Sequence, residues 1–220
     1  MAQITAPQLA ELFRIIAAHL AQARAELGVL DGAIGDADHG NSMAEGFAAV
    51  ARETAAAARQ GLGAGALFPI AAHAFLSTVG ATAGPLYASA LLGAGQVFAD
   101  RETIPCDLLP ELIPAFAQAI RQRGKAQPGD KTMLDAWAPA ARAVRQGLER
   151  GASPLACLDT ATRAAQDGRE ATRAMIASVG RAARLGERSI GHVDPGAASA
   201  TIIIAALRDG MAQFCPQGAV

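Results

Sequence analysis

Three aspartates and a histidine, Asp31, Asp36, Asp38 and His39, crowd into the segment LDGAIGDADHGN. The glycines between them let the backbone fold back, so the pattern D-x(4)-D-x-D-H-G can bring its carboxylates together. Crowded carboxylates repel one another unless a cation joins them, and an oxygen-only donor set selects a hard cation. Magnesium keeps waters or takes phosphate oxygens to complete its octahedron, so this loop suits a Mg-nucleotide better than a caged metal. A helix predicted to open near Asn41 and Ser42 would add free N–H groups for phosphate. Aspartate beside glycine also serves as a turn former and helix cap, and the pattern alone admits either use.

Other sites for anions or nucleophiles are excluded. Counted from Asp36, an EF-hand would need Gly and Glu where Asn41 and Phe47 stand. Lys131-Thr132 lacks the preceding G-x-x-x-x-G of a phosphate-binding loop, and GLGAG at Gly61 follows a helical pattern rather than a strand. No Ser lies in a G-x-S-x-G elbow, and no Cys has a neighbouring His. His19 and His73 fall inside helical patterns and read as packing or surface residues. Arg181, Arg184 and Arg188 surround a glycine-rich turn near His192 and Asp194, where they could meet phosphates or pair with acidic neighbours. A formal charge of -1 provides no broad positive field for nucleic acid or an anionic bilayer.

The elements that would carry these residues read as all-α, because apolar positions recur at helical spacing and β-branched residues are sparse. A first helix opens near Pro7, runs through Leu9, Leu12, Phe13, Ile16 and Leu20 to Leu27, and has Gly28 placed to stop it. A second is announced by Ser42 and Glu45 at capping-box spacing. The stretch between Arg59 and Asp100 contains no Asp, Glu, Lys or Arg. Its many glycines and alanines favour a buried hairpin, Ile70 to Val79 and Pro85 to Phe98, over a membrane span. Further helices follow Asp107, begin near Thr132, run from Ser153-Pro154 to about Val179, and follow Asp194-Pro195. TIIIAAL, near the end, has no comparable strand to pair with and is assigned to the last helix.

About eight helices in one domain, 1–220, are therefore expected, without a linker or repeat. The N-terminus lacks the pattern of a secretory signal. Cys106, Cys157 and Cys215, odd in number and far apart, suggest neither a disulfide framework nor a zinc site, and read as thiols in a reducing cytoplasm. The length does not require an oligomer, although a homodimer stays open.

Four connections carry the unusual polar residues: LDGAIGDADHGN, VGATAGPLY, GKAQPGDKTMLDAW and GRAARLGERSIGHVDPGA. In order and spacing they resemble those of the L subunit of dihydroxyacetone kinases, the DAK nucleotide-binding domain, over nearly the whole chain. The family pattern L-D-G-x-I-G-D-G-D-H-G matches Leu30 to Gly40 except at Ala37, and G-D-K-T-M, L-G-E-R-S-x-G-H and D-P-G are intact. The resemblance implies a closed barrel of eight antiparallel amphipathic helices, with ADP or ATP and two Mg ions at one end. Asp31, Asp36 and Asp38 would hold the Mg ions. His39, Gly40, Asn41 and Ser42 would contact phosphates; Gly124, Met133 and Arg181 would surround the nucleotide; and Asp194, Pro195 and Gly196 would form the closing loop.

The resemblance further implies a separate K subunit carrying a short ketose. Phosphoryl would come from ATP directly or from ADP recharged by a phosphohistidine relay subunit, and no catalytic base is assigned to this chain. Where the family usually reads G-G-A-S-G-P-L-Y, this chain has GATAGPLY. Ala83 replaces a serine whose hydroxyl faces the phosphates, and Thr82 is the hydroxyl next to it. With Ala37 in the metal loop, these departures leave a second reading open, a nucleotide-sensing homologue that transfers nothing.

Overall fold

The first helix begins as its sequence signals require. In the computed structural model, which describes residues 2–215, the Thr5 hydroxyl accepts the Gln8 N–H and the Gln8 side chain returns to the Thr5 N–H. This capping box opens α1 (Ala6–Gln22), with a proline in its first turn and Leu9, Leu12, Phe13, Ile16 and Leu20 on its buried side.

The chain then breaks at Ala23 and continues as α2 (Arg24–Ile34), straight past Gly28, where a stop was expected. The glycine has another purpose. A Cβ at Gly40 on the next helix would strike the Arg24 carbonyl and the Gly28 N–H, so the two backbones meet where side chains are missing. That next helix, α3 (His39–Arg59), starts ahead of Ser42. Its first N–H groups are met by Asp31 of α2, and Glu45 pairs with Arg24 at 3.3 Å instead of closing a capping box.

The charge-free stretch forms α4 (Leu67–Thr78) and α5 (Ala83–Val97), close to the predicted hairpin. Among the described residues no helix is long and apolar enough to cross a membrane. A 3-10 segment, Cys106–Glu111, includes Asp107 and precedes α6 (Leu112–Gly124), so Asp107 does not cap that helix. After α7 (Leu134–Glu149), the Ser153 hydroxyl accepts the Ala156 N–H to start α8 (Pro154–Ala171). This helix stops well short of Val179, because the carbonyls of Thr172 and Met175 turn toward the Lys131 ammonium. The last helix, α9 (Pro195–Phe214), is capped by Asp194 and contains TIIIAAL, as expected.

Nine α-helices thus stand among the described residues, against about eight expected, since α1 and α2 are divided at Ala23. Each of α3 to α8 packs on its successor, α9 returns to α1, α1 also meets α3, and α2 lies across α3 and α9. The apolar sides form one continuous cluster, in which Phe47, Phe75 and Tyr87 meet and Phe116 packs on Trp137.

The all-α expectation holds with one addition, and the expectation for the cysteines needs correction. A short antiparallel ribbon, β1 (Gln3–Thr5) with β2 (Thr103–Pro105), interrupts the helical pattern, with fully buried Ile4 opposite Ile104. Three-residue strands do not stand alone, and these rest on the helical core. The cysteines are not all thiols: Cys106 and Cys215 form a disulfide, with Cα atoms 5.9 Å apart, and Cys157 alone is free and buried. Residues remote in the chain became neighbours because α9 returns to the start of the fold.

Candidate functional site

Asp31 is built into the last turn of α2 and is buried, while Asp36 and Asp38 project from the exposed turn between α2 and α3. One carboxylate oxygen from each lies within 4.8 Å of the others. Asp31 Oδ2 also accepts the N–H groups of Asp38 at 2.9 Å and His39 at 3.1 Å, so the same residue shapes the turn and supplies charge. Asp36 forms an ion pair with Arg181, whose guanidinium reaches across from the segment before α9. Three carboxylates without nitrogen or sulfur donors fit a hard divalent cation.

A cavity of about 280 Å³ opens beside this cluster. Asp31, Asp36, Asp38, His39 and Ser42 form one wall of it, and Thr82 and Ala83 at the start of α5 a second. Gly124, at the end of α6, and Met133, before α7, face them. Arg181, Asp194, Pro195 and Gly196 complete the set. Two expected site residues do not line the cavity. Gly40 is buried against α2, and Asn41 is exposed and accepts a hydrogen bond from Arg24. The apolar part of the wall comes from Leu86, Ile120, Met133 and Leu134, which suits a flat ring, while the acidic end suits a cation.

Close approach at this end depends on small residues. A Cβ on Gly196 would lie 3.2 Å from the Met133 backbone nitrogen, so the N-terminus of α9 abuts the GDKTM segment directly. His39 Nε2 lies 2.9 Å from the Ser199 hydroxyl, which in turn donates to the Gly196 carbonyl. Burial holds the imidazole below its usual pKa, against the opposing pull of the Asp31 charge and a bond to the Pro195 backbone.

Asp194 accepts the Ala197 N–H at 2.7 Å, while its own N–H donates to Thr172 Oγ1. Burial pushes its carboxyl from the usual 3.8 up to about 7, aided by Asp135 and opposed by the Ala197 N–H and Lys131. Between those values the folded protein retains a proton that the unfolded chain has released. The stability contributed here therefore falls as pH rises through that window. Asn at position 194 keeps the oxygen acceptor but cannot titrate. The stability of the wild type relative to Asp194→Asn, from urea denaturation, is expected to decline between about pH 4 and about pH 7. A difference that stays flat across that range would contradict the assignment.

Sequence reasoning missed several residues. Asp135 accepts the N–H groups of Gly129 and Thr132 and fixes the GDKTM turn. Lys131 is buried behind the cavity wall, and Ser199 holds His39. The roles of Lys131 and Ser199 depend on partners far away in the chain, for which no local spacing is a signal, whereas the partners of Asp135 are three and six residues away.

Ala37 has φ 64° and Ala81 has φ 51°, both in the left-handed region. The turns that carry them flank the cavity, and each alanine stands where the resembled family pattern has glycine. Replacing Ala37 by Gly should relieve its Cβ strain against some gain in unfolded-chain entropy, for a net stabilisation of about 0.5–1 kcal/mol. Urea denaturation reads the change directly, and a loss of stability would show that the methyl group packs usefully near Gly32.

The sequence matches the DAK2 domain over residues 33–209. It is 39% identical over 170 residues to the ADP-binding subunit DhaL of the PEP-dependent dihydroxyacetone kinase of Escherichia coli, covering 77% of this chain and 80% of that one. It is 35% identical over 189 residues to the ADP-binding subunit DhaL of the PTS-dependent dihydroxyacetone kinase of Lactococcus lactis, covering 86% and 89%. With the L-erythrulose 1-kinase of Mycolicibacterium smegmatis it shares 38% identity over 183 residues, 83% of this chain and 32% of that enzyme. The crystal structure of the dihydroxyacetone kinase from C. freundii in complex with AMP-PNP and Mg2+ superposes with a TM-score of 0.66 at 26% identity. That match covers 91% of this chain and 33% of the other. The chain thus spans most of the separate subunits and about a third of the longer kinases.

Proposed function

The chain belongs to the DAK2-domain family, and from that premise we propose that it is the ADP/ATP- and Mg-holding subunit of a dihydroxyacetone-type kinase. The observation that carries this reading is the convergence of Asp31, Asp36 and Asp38 at the acidic end of a cavity whose other end is apolar. In this reading residues 1–220 form a single nucleotide-binding domain, and the packing of α9 back onto α1 closes the helices into a barrel with the site at one end.

Asp31, Asp36 and Asp38 would hold the two Mg ions, whose charge would offset that of the phosphates. His39 and Ser42 lie nearest the phosphates, Met133 packs against the purine, and Arg181 turns its guanidinium to a phosphate oxygen. Gly40 contributes by allowing the close approach of α2, and Asn41 by its place in the first turn of α3. Catalysis is positioning and charge stabilisation, and no catalytic base or nucleophile is assigned among the residues that line the cavity. A ketose such as dihydroxyacetone or a four-carbon ketose is presented by a K subunit, and a phosphohistidine relay subunit recharges bound ADP. The subunit-sized relatives named for PEP- or PTS-dependent kinases favour that donor over free ATP.

Purified chain, K subunit, Mg, ketose and either ATP or a phosphoenolpyruvate-driven relay should yield ketose phosphate, with the relay faster. Mass spectrometry of the denatured protein should release ADP. A second reading is a nucleotide sensor, favoured by the strained Ala37 and Ala81 and by Ala83 at a family serine position. Bound nucleotide with no transfer from either donor would select the sensor, and no bound nucleotide would dismiss both.

A further inference from the structure

Lys131 is 2% exposed, and its backbone has φ 59°, in the left-handed region. Its ammonium reaches four main-chain carbonyls: Ser189 at 2.6 Å, His192 at 2.7 Å, Thr172 at 2.8 Å and Met175 at 3.2 Å. An ammonium has three N–H bonds, so the three shorter contacts consume them and the fourth is shared. No proton is left for a ligand, although the residue borders the cavity.

The four carbonyls lie at the two ends of one excursion of the chain. The segment 174–190 borders the cavity through Val179, Gly180, Arg181 and Ala182. The neck is also zipped by the Gly191 N–H to the Arg173 carbonyl at 2.7 Å, and by Arg173 Nη1 to the Gly191 carbonyl at 3.2 Å. The neighbour of Lys131, Asp130, accepts the Ser178 hydroxyl at 2.6 Å. Part of the loop, Ala182–Ser189, is 3-10 helix, and its two ends are joined at the neck, where the Ala177 N–H also donates to Ser189 Oγ at 3.0 Å. Without a buried cation the converging carbonyl dipoles would repel one another. Burial lowers the lysine pKa from its usual value, and the Asp194 charge opposes that shift.

We propose that Lys131 is a positioning residue whose ammonium plugs the neck of the 174–190 loop and thereby holds Arg181 over the nucleotide phosphates. The loop's role rests on the nucleotide-binding function proposed above, while the plug itself is tested without it. Only two lysines occur in the chain, and Lys125 is exposed, so lysine chemistry separates them. Reductive methylation of the native protein should modify Lys125 while Lys131 resists. ADP with Mg should slow Lys131 further by keeping the loop closed. Equal reactivity of the two lysines would overturn the proposal.

Lys131→Met keeps the side-chain length and removes the charge. Amide exchange in 174–191 should accelerate with the helices unchanged. The affinity for ADP–Mg should fall about tenfold, with kcat at saturating nucleotide within about threefold of wild type. Unchanged loop exchange would refute the plug, and a loose loop with unchanged affinity would refute its hold on Arg181. If the variant does not fold, the effect of ADP–Mg on Lys131 methylation in the wild type decides, and no effect counts against the proposal. Wild type that binds no ADP would instead defeat the nucleotide-binding function, leaving the plug to be judged by loop exchange.

Discussion

Under the proposed function, Asp36→Asn is expected to reduce ketose phosphorylation by about a thousandfold or more, since one of the three charges proposed to bind metal is lost where phosphate charge must be neutralised. The change preserves shape. Asp36 is exposed, caps no helix, and has Arg181 as its ion-pair partner, so folding does not depend on it. Relief of repulsion within the carboxylate cluster should offset the lost pair, leaving stability without Mg within about 0.5 kcal/mol of wild type. Mg–ADP should raise the melting temperature of the wild type and not that of the variant.

Asp31→Asn provides the contrast. It also removes a charge from the cluster, but Asp31 additionally receives two N–H groups at the start of α3, so a stability loss of about 1 kcal/mol should accompany the loss of activity. Steady-state rates with the K subunit, together with melting curves with and without Mg–ADP, separate the two roles. A fully active Asp36→Asn protein would remove the metal site from the proposed function.

What could be read from sequence follows the range of the forces involved. The caps Ser153 and Asp194, each followed by proline, are local devices, and both open the helices expected of them. The charge-free stretch became a buried hairpin for an equally local reason, since its composition leaves little besides packing. The acidic loop was legible because its three carboxylates lie within a few residues of one another.

Gly28 misled because a glycine that ends a helix and one that admits a neighbouring backbone look alike in sequence, and Gly40 decides between them. Ser42 and Glu45 have capping-box spacing, yet Asp31 satisfies the preceding N–H groups first and α3 starts early. Lys131 was invisible as a plug because its four acceptors lie 41 to 61 residues away. The left-handed turns at Ala37 and Ala81 were hidden for a different reason, since alanine does not signal positive φ.

Reduction of the Cys106–Cys215 disulfide should lower the unfolding free energy by about 2–5 kcal/mol. The bridge spans 109 residues, and closing a loop of that size removes much of the freedom of the unfolded chain. Cys215→Ser without reductant should match the reduced wild type, because both open the same loop. Thiol titration of the unreduced protein in denaturant should find one free group, Cys157, and three after reduction. Three thiols before reduction would refute the bridge.

The loss should leave the proposed nucleotide site largely intact well below the melting temperature. Cys215 follows the last residue of α9, whereas Asp194, Gly196 and Ser199 lie at its first turns. At 1.5 Å per residue this 20-residue helix places Asp194 about 30 Å and Ser199 about 24 Å from Cys215. Between these ends α9 is held by its own contacts with α1 and α8. Opening the bridge therefore releases the end of α9 from the segment after β2, while the cap at Asp194 and the cavity it borders keep their supports. Reduced protein should accordingly bind ADP–Mg as the oxidised protein does at low temperature and lose that binding earlier on heating.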